Sequence, residues 1–550
     1  MNKFFSIIKV LVLLGIILPM TSCSDYMTTD SSQYLSADNH NIDSPNDTVF
    51  SIVGILAKVG KLTDRTILLG ELRADLMDVT PTTTGDLRDI SNFTVDNATN
   101  TYADTKDYYS VINNCNYFIQ KADTSISVRG RKTLSAEVQV AKAIRAWTYL
   151  QIGLNFGSAV YYRNPILSTT DLEQVPNELP LEQLIDTLIT EVGTIKLLRQ
   201  VDYPRYDGLN GLSSDISLFI NPLILSGDLY LWKASFTRET EYYRAAATKY
   251  AEAMVYGNVA TSNYANSWTD DTFTRYFNSW TSLFSTSSFE LISIFKPASS
   301  TYDGVSSSLF SMFNNYELKA SANYNNLSNN QDYCFYTTTN NTSKFTKGDL
   351  RIKSVLGTMN TNSTDTIITK FSNKVFPIYR AGLLYLRYAE AVNRAGKPGL
   401  AFATLKYGLN SKTLDSVFNR VPHKELADKA SFVTIFSTVN PLANTLANTG
   451  IHSRGSGSSE YNTYYTIPDS ASLALLNMDS VEYVENAICD ELALETAFEG
   501  NRFQDLMRIS IRRDNQTKFL AQKVAQKHSD NYNHYFGILS DKKNWFIKSK

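Results

Sequence analysis

The chain has 550 residues, 19% of them charged, with a formal net charge of -2; it carries no basic field to hold a phosphate-rich partner, which argues against nucleic acid as a ligand. Aromatic residues make up 12% of the chain, with 33 Tyr and 28 Phe, and Asn, Ser and Thr crowd its middle, so the predicted surface is polar, neutral and aromatic. The length allows several average domains or one large unit with a sizeable core.

Lys3 and Lys9 lead into the apolar run "VLVLLGIILPM" and the small residues "TSC" that end at Cys23. A basic start, a short apolar stretch and small residues predict a secretory signal peptide over residues 1–22, too short to span a bilayer comfortably. "PMTSC" resembles a bacterial lipoprotein processing box, in which the Cys becomes the acylated first residue, although Met20 stands where Leu is commoner. Cys23 is thus the expected lipid attachment point, and several acyl chains on one terminus anchor a protein without a membrane-spanning helix. The alternative is ordinary secretory cleavage with Cys23 a spare thiol. Residues 23–46, rich in Ser, Asp and Asn, read as a lipidated tether ahead of a folded body over 47–550. The remaining Cys115, Cys334 and Cys489 are odd in number and match no metal spacing, so no disulfide framework is predicted, and Cys115 and Cys489 are expected as small buried apolar residues.

Helical periodicity then dominates. "DTKDYYSVINNCNYFIQKAD" repeats apolar positions through Tyr108, Ile112, Cys115 and Ile119, and "LSAEVQVAKAIRAWTYLQIGLNFG" does so through Leu134, Val138, Ala141, Ile144 and Trp147 until Gly157 ends the run. Two further pairs recur: "ILSGDLYLWKASF" with "EYYRAAATKYAEAM", and "LLYLRYAEAVNRAGK" with "GLAFATLKYGLN". Helix pairs with Ala245, Ala251, Ala389 and Ala395 at close-packing positions and Gly396 at a turn predict divergent tetratricopeptide-like repeats, with an ordinary α-bundle as the alternative. From about 257 to 376 the periodicity dissolves into Asn, Ser, Thr, Tyr and Phe with short β-like stretches such as "FELISIF" and "TDTIITKF". So long an insert is expected to form an ordered, irregular lobe of loops and short strands, where function usually sits. The fold class expected is mainly α, a helical-repeat scaffold with a loop-rich lobe. A second irregular stretch, about 411–480, precedes the last helices.

"CDELALETAFEGNRFQDLMRI" places Glu491, Glu495 and Glu499 at i, i+4 and i+8, with Arg502 and Asp505 just beyond. Carboxylates a turn apart on one helix point the same way, whereas a glycosidase needs two facing each other across a cleft. The stripe is therefore expected to be an ion-pair and capping network, with Gly500 ending the helix. No catalytic residue is assigned: "RGSGSSE" lacks the spacing of a nucleophile elbow. The five His form no metal-ligand pair and no Gly-rich phosphate loop occurs, so no metal or cofactor is expected.

In their order, "YYSVINNCNYFIQKAD", "AEVQVAKAIRAWTYLQIGLNFG", "WTSLFSTSSFELISIF", "FPIYRAGLLYLRYAEAVNRAG", "GIHSRGSG" and "ELALETAFEGNRFQDLMRI", after a lipoprotein-like signal, resemble the SusD/RagB family of outer-membrane lipoproteins. The short acidic run often found after the lipidated Cys is reduced here to Asp25. The resemblance implies a non-catalytic, cell-surface binding protein, lipid-anchored to the outer membrane. Its scaffold would be built of tetratricopeptide repeats. Such a protein caps a SusC-like TonB-dependent transporter and delivers an oligosaccharide, or in some members a peptide, to it. An exported glycan-cleaving enzyme is the alternative from another class.

Sugar rings expose apolar faces and a rim of hydroxyls, so a site needs aromatic platforms edged by amide, carboxylate or guanidinium groups. Trp147, Trp232, Trp280 and Trp545 sit in framework stretches and are expected in the core; Trp268, in "YANSWTDDTF", is the first platform candidate. The resemblance implies that the loop after the first helix joins the irregular lobe at the ligand. On that basis Arg73, Asp75 and Tyr102 are candidates for the first edge, and Tyr302, Tyr316 and Tyr324 join Trp268 as platforms. An alternative pairs Arg73 with Asp75 as a structural fork.

Overall fold

A computed structural model describes residues 42, 45–96, 99–128, 131–204, 216–257, 259, 290–295, 307–337, 342–359, 365–438, 449–457, 459–513 and 516–548. The expected signal peptide, Cys23, nearly all of the tether, the candidates Trp268 and Tyr302, and Trp280, expected in the core, lie outside these residues. Among the described residues no helix is long and apolar enough to cross a membrane.

The scaffold helices are numbered α1 (Pro45–Gly60), α2 (Thr63–Glu71), α3 (Lys106–Lys121), α4 (Thr133–Phe156), α5 (Leu181–Val192), α6 (Pro222–Thr237), α7 (Thr240–Gly257), α8 (Ala381–Arg394), α9 (Pro398–Lys406), α10 (Ser480–Thr496), α11 (Arg502–Arg512), α12 (Gln516–Lys527) and α13 (Tyr532–Leu539). Sequence fixes several of their ends. Asn221 caps α6 by accepting from the Leu223 and Ile224 amides at 3.0 and 3.1 Å, with Pro222 in the first turn. Asp479 caps α10 through the Glu482 amide at 2.8 Å. Gly157, with φ of +84°, takes the left-handed turn that stops α4.

Each helix from α3 to α8 packs on its successor, and α8 then packs on both α9 and α10. This serial array, in which neighbours supply each other's core, is the tetratricopeptide-like arrangement expected from the paired repeats. The apolar periods fall where they must. α3 buries Tyr108, Ile112 and Cys115, and α4 buries Ala141, Ile144 and Trp147, whose ring meets Phe295 edge-on at 5.9 Å. On α7 the buried small residues are Ala246, Ala247, Ala251 and Ala253, so the expected Ala251 is enclosed whereas Ala245 is only partly so. Cys115, Cys334 and Cys489 are free and buried.

The described parts of the stretch between α7 and α8 hold short antiparallel pairs. With strands numbered β1 (Met77–Val79), β2 (Leu291–Phe295), β3 (Leu318–Ala320), β4 (Asp332–Thr337), β5 (Thr342–Lys347) and β6 (Phe376–Arg380), β1 pairs β3, β2 pairs β6, and β4 and β5 form a hairpin. The β1–β3 pair stitches the loop after α2 to the lobe, and the β2–β6 pair delivers Glu290 and Arg380 to the start of α8.

Candidate functional site

The glutamate stripe lies in the interior. Glu495 is fully buried, its Oε1 accepting from Arg380 at 2.8 Å and from Arg454, and its Oε2 from Arg351 at 3.1 Å. Glu491 takes Arg351 at 3.0 Å and the His452 ring, which stacks on Tyr465 with 3.7 Å between centroids. Burial alone would raise both carboxyls, but the surrounding guanidiniums hold them below the usual carboxylate range. α10 stops at Thr496, so Glu499 lies past its end, in a turn where Phe498 and Gly500 have positive φ. It nevertheless joins the network, meeting Arg380 at 2.8 Å and Lys370 at 2.6 Å. Lys370 also donates to the Glu495 and Ala497 carbonyls at 3.0 and 2.9 Å, satisfying acceptors that the helix end leaves open. Arg502, three residues after Glu499, turns away to Asp75.

A second buried set joins α8, α10 and α11. Glu390 accepts from Arg508 at 2.8 and 2.7 Å and from Arg512 at 2.5 Å, and Asp505 meets Arg387 at 2.6 Å. Glu485 is held by Arg512, Arg394 and Arg513 at 2.5 to 2.7 Å. Burial would push the Glu485 carboxyl up, but these three cations bring it down to about 2 from 4.5. Its folded value is thus below its unfolded one, so its stabilisation is complete above pH 4.5 and is lost as pH falls through about 2. Lowering the pH from 7 to 3 is expected to remove about 2 kcal/mol through Glu485 alone, read as a lower urea midpoint. An unchanged midpoint would sink that assignment.

Of the sequence candidates, three are interior groups. Arg73 is enclosed, donating to the Leu69 and Trp545 carbonyls at 2.7 and 3.0 Å and to Asn155 at 2.5 Å, over the Phe503 ring. Burial brings its guanidinium down to about 9. Asp75 receives both prongs of Arg502 at 2.7 and 2.9 Å, and this pairing outweighs the upward push of burial. Arg73 and Asp75 therefore do not pair with each other. Tyr324 is fully buried against Phe498 at 5.2 Å. Their enclosure corrects the expectation that these three side chains face a ligand.

Tyr102 and Tyr316 behave differently. The turn Thr80–Thr83 is stapled by Arg88, which donates to the Thr80, Pro81 and Thr83 carbonyls at 2.7, 2.8 and 3.1 Å. Thr80 and Thr82 donate to the Tyr316 carbonyl at 2.5 and 2.8 Å, and Thr83 to that of Glu317 at 2.5 Å. The segment carrying Tyr102 is tied to the same turn, since Asn100 donates to the Asp86 carbonyl at 2.8 Å and the Thr101 amide to the Asp86 carboxylate at 3.1 Å. The half-buried Tyr102 phenol is raised to about 12 by burial and by the carboxylates of Asp64, Asp86 and Glu317. Tyr316, held at a φ of +57°, donates its hydroxyl to Asp365 at 3.2 Å. The result is a fixed ledge where the loop after α2 meets the lobe, with two accessible phenols, carboxylates and the exposed Thr82 hydroxyl. Thr82, Arg88 and Asp365 are not among the sequence candidates; the run "TPTTTGDLR", whose hydroxyls and Arg close a turn, signals the first two. Among the described residues no group of three or more His, Cys, Asp or Glu is placed to hold a metal ion.

Residues 203–546 match the family model described as the SusD family. Among solved structures, NanU of B. fragilis is similar at 16% identity, with 89% of this chain and 93% of that one covered and a TM-score of 0.53. A SusD superfamily protein of Bacteroides thetaiotaomicron gives 16% identity, 88% and 93% coverage, and a TM-score of 0.53. A putative sugar binding protein of Bacteroides vulgatus gives 16%, 86% and 88%, and 0.52. These likenesses establish the fold. No curated protein matches the sequence.

Proposed function

The chain belongs to the SusD family, and from that membership we propose that it is a non-catalytic, lipid-anchored protein of the outer-membrane surface. It captures an oligosaccharide and hands it to a SusC-like TonB-dependent transporter. Cys23 carries the lipid after removal of residues 1–22, and residues 23–46 hold the body off the membrane. The observation that carries the ligand reading is the ledge: two phenol rings for the apolar faces of a sugar, edged by Asp365, Glu317 and Thr82 for its hydroxyls. The description of one structural neighbour as a putative sugar binding protein supports the same class of cargo. The burial of Glu491 and Glu495 among arginines supports a binding role over glycan cleavage, since neither carboxylate faces a cleft. Trp268 and Tyr302 remain proposed as further platforms.

The test is calorimetric titration of the purified chain with plant, host and microbial oligosaccharides and with a mixed oligopeptide pool, the products then being chromatographed. Saturable glycan binding without cleavage is expected, weakened at least tenfold by Tyr316→Ala. Heat from peptides alone would move the cargo to peptides. Hydrolysis products would overturn the binding role.

A further inference from the structure

A second cleft opens on the helical scaffold, between the end of α3 and the segment Tyr161–Pro176, and shares no lining residue with the ledge. It encloses about 580 Å³, within the roughly 300–1,000 Å³ of small-molecule sites. Gln120, Tyr161, Tyr162, Arg163, Asn164 and Gln174 line it. We propose that this cleft binds an oligosaccharide bearing a carboxylate.

The cleft is preorganised. The wall Val160–Ile166 has little regular structure of its own, yet side chains of α3 and α4 clamp its backbone. Tyr109 accepts from the Val160 amide at 2.9 Å, and Tyr149 both donates to the Tyr162 carbonyl and accepts from its amide at 2.8 and 3.0 Å. Asn113 donates to the Ile166 carbonyl and accepts from its amide at 2.9 and 2.7 Å, and Asn116 donates to the Tyr162 carbonyl at 3.2 Å. A wall fixed before the ligand arrives spares the ordering cost of binding.

Arg163 places its guanidinium over the Tyr161 ring, 5.8 Å from the centroid. Its Nε donates to the Tyr161 hydroxyl at 2.9 Å, which itself donates to Glu191 at 2.8 Å, and Glu191 is held by the buried Arg145. This chain aims the exposed guanidinium while its two terminal nitrogens carry no hydrogen bond among the described residues. Two parallel N–H groups match a carboxylate. The one carboxylate in the lining, Asp171, is engaged by the Leu167 and Ser168 amides at 2.8 Å each. The Tyr rings, with the amides of Gln120, Asn164 and Gln174, supply the flat faces and hydroxyl-reading groups that distinguish a sugar acid from a simple anion.

The test is calorimetric titration of the purified chain with trigalacturonate, using triglycine as a carboxylate without sugar rings. Saturable trigalacturonate binding is expected that weakens with added salt. Arg163→Gln, at an exposed position, should leave the melting midpoint unchanged and weaken binding at least tenfold, with Arg163→Lys in between because it keeps charge but loses the fork. No saturable heat with the unsubstituted chain, equal affinity in Arg163→Gln, or displacement by triglycine at equal affinity would each overturn the proposal. It rests on the cleft alone, so its failure would leave the ledge untouched.

Discussion

Glu495→Gln is expected to cost about 4 kcal/mol or more, enough to remove much of the roughly 5–15 kcal/mol that holds a typical domain folded. The substitution keeps volume and shape but removes the charge and turns one acceptor oxygen into an NH2 donor facing arginine. Glu495 is contacted by Arg351, Arg380 and Arg454, and all four side chains are fully excluded from water. Arg351 keeps Asp349 and Glu491, Arg380 keeps Glu290 and Glu499, and Arg454 keeps Glu290, but all three guanidiniums lose one buried counter-charge at once. The exposed pair Lys347–Asp332, with both side chains at least 40% accessible, is the contrast: Asp332→Asn is expected to cost under about 1 kcal/mol. Urea midpoints of the two variants measure the difference. Equal, small effects would mean that the interior is wet enough to screen the network.

The same network shows what sequence can and cannot convey. That Glu491 and Glu495 are structural followed from spacing alone, because carboxylates one turn apart cannot face each other. Their partners did not follow. Arg351, Arg380 and Arg454 arrive from a loop, a strand end and a short helix over 40 to about 140 residues away, and no local period announces such meetings. Helices with a strong apolar stripe and a glycine stop were legible, as α4 and α8 illustrate. α5 was not read, although Leu184, Ile185, Leu188 and Val192 make its buried face, because the polar residues between them also suit a loop. The candidate site divided by the same rule. Arg73 and Asp75 look like ligand groups in a loop, but Trp545 and Arg502, more than 400 residues on, close over them. Tyr316 reaches the ledge because β1 and β3 pair, a long-range event that the sequence leaves open.

Gly70→Ala argues the other side of that contrast, since a residue with no side chain is asked to gain one. In α2 an alanine should by helix propensity stabilise by up to about 1 kcal/mol. The tertiary contact reverses the sign. A Cβ on Gly70 would lie 1.9 Å from the Gly500 carbonyl oxygen and 2.4 Å from its carbon, so one backbone would have to move off another. The neighbouring Glu71 carboxylate, buried completely, accepts from the Gly500 amide at 2.8 Å and would be dragged along. Gly500 in turn occupies a φ of +89°, with the Thr66 carbonyl near the place its own Cβ would take, so it has little room to yield. The expected cost is about 3 kcal/mol, at the upper end of overpacking in a core. Gly54, inside α1 with open space around its missing Cβ, is the matched control, and Gly54→Ala should be neutral or stabilising by up to about 1 kcal/mol. Opposite shifts of the urea midpoint in the two variants are therefore expected. Parallel shifts would show that helix propensity, and not the meeting of α2 with the turn before α11, governs this end of the fold.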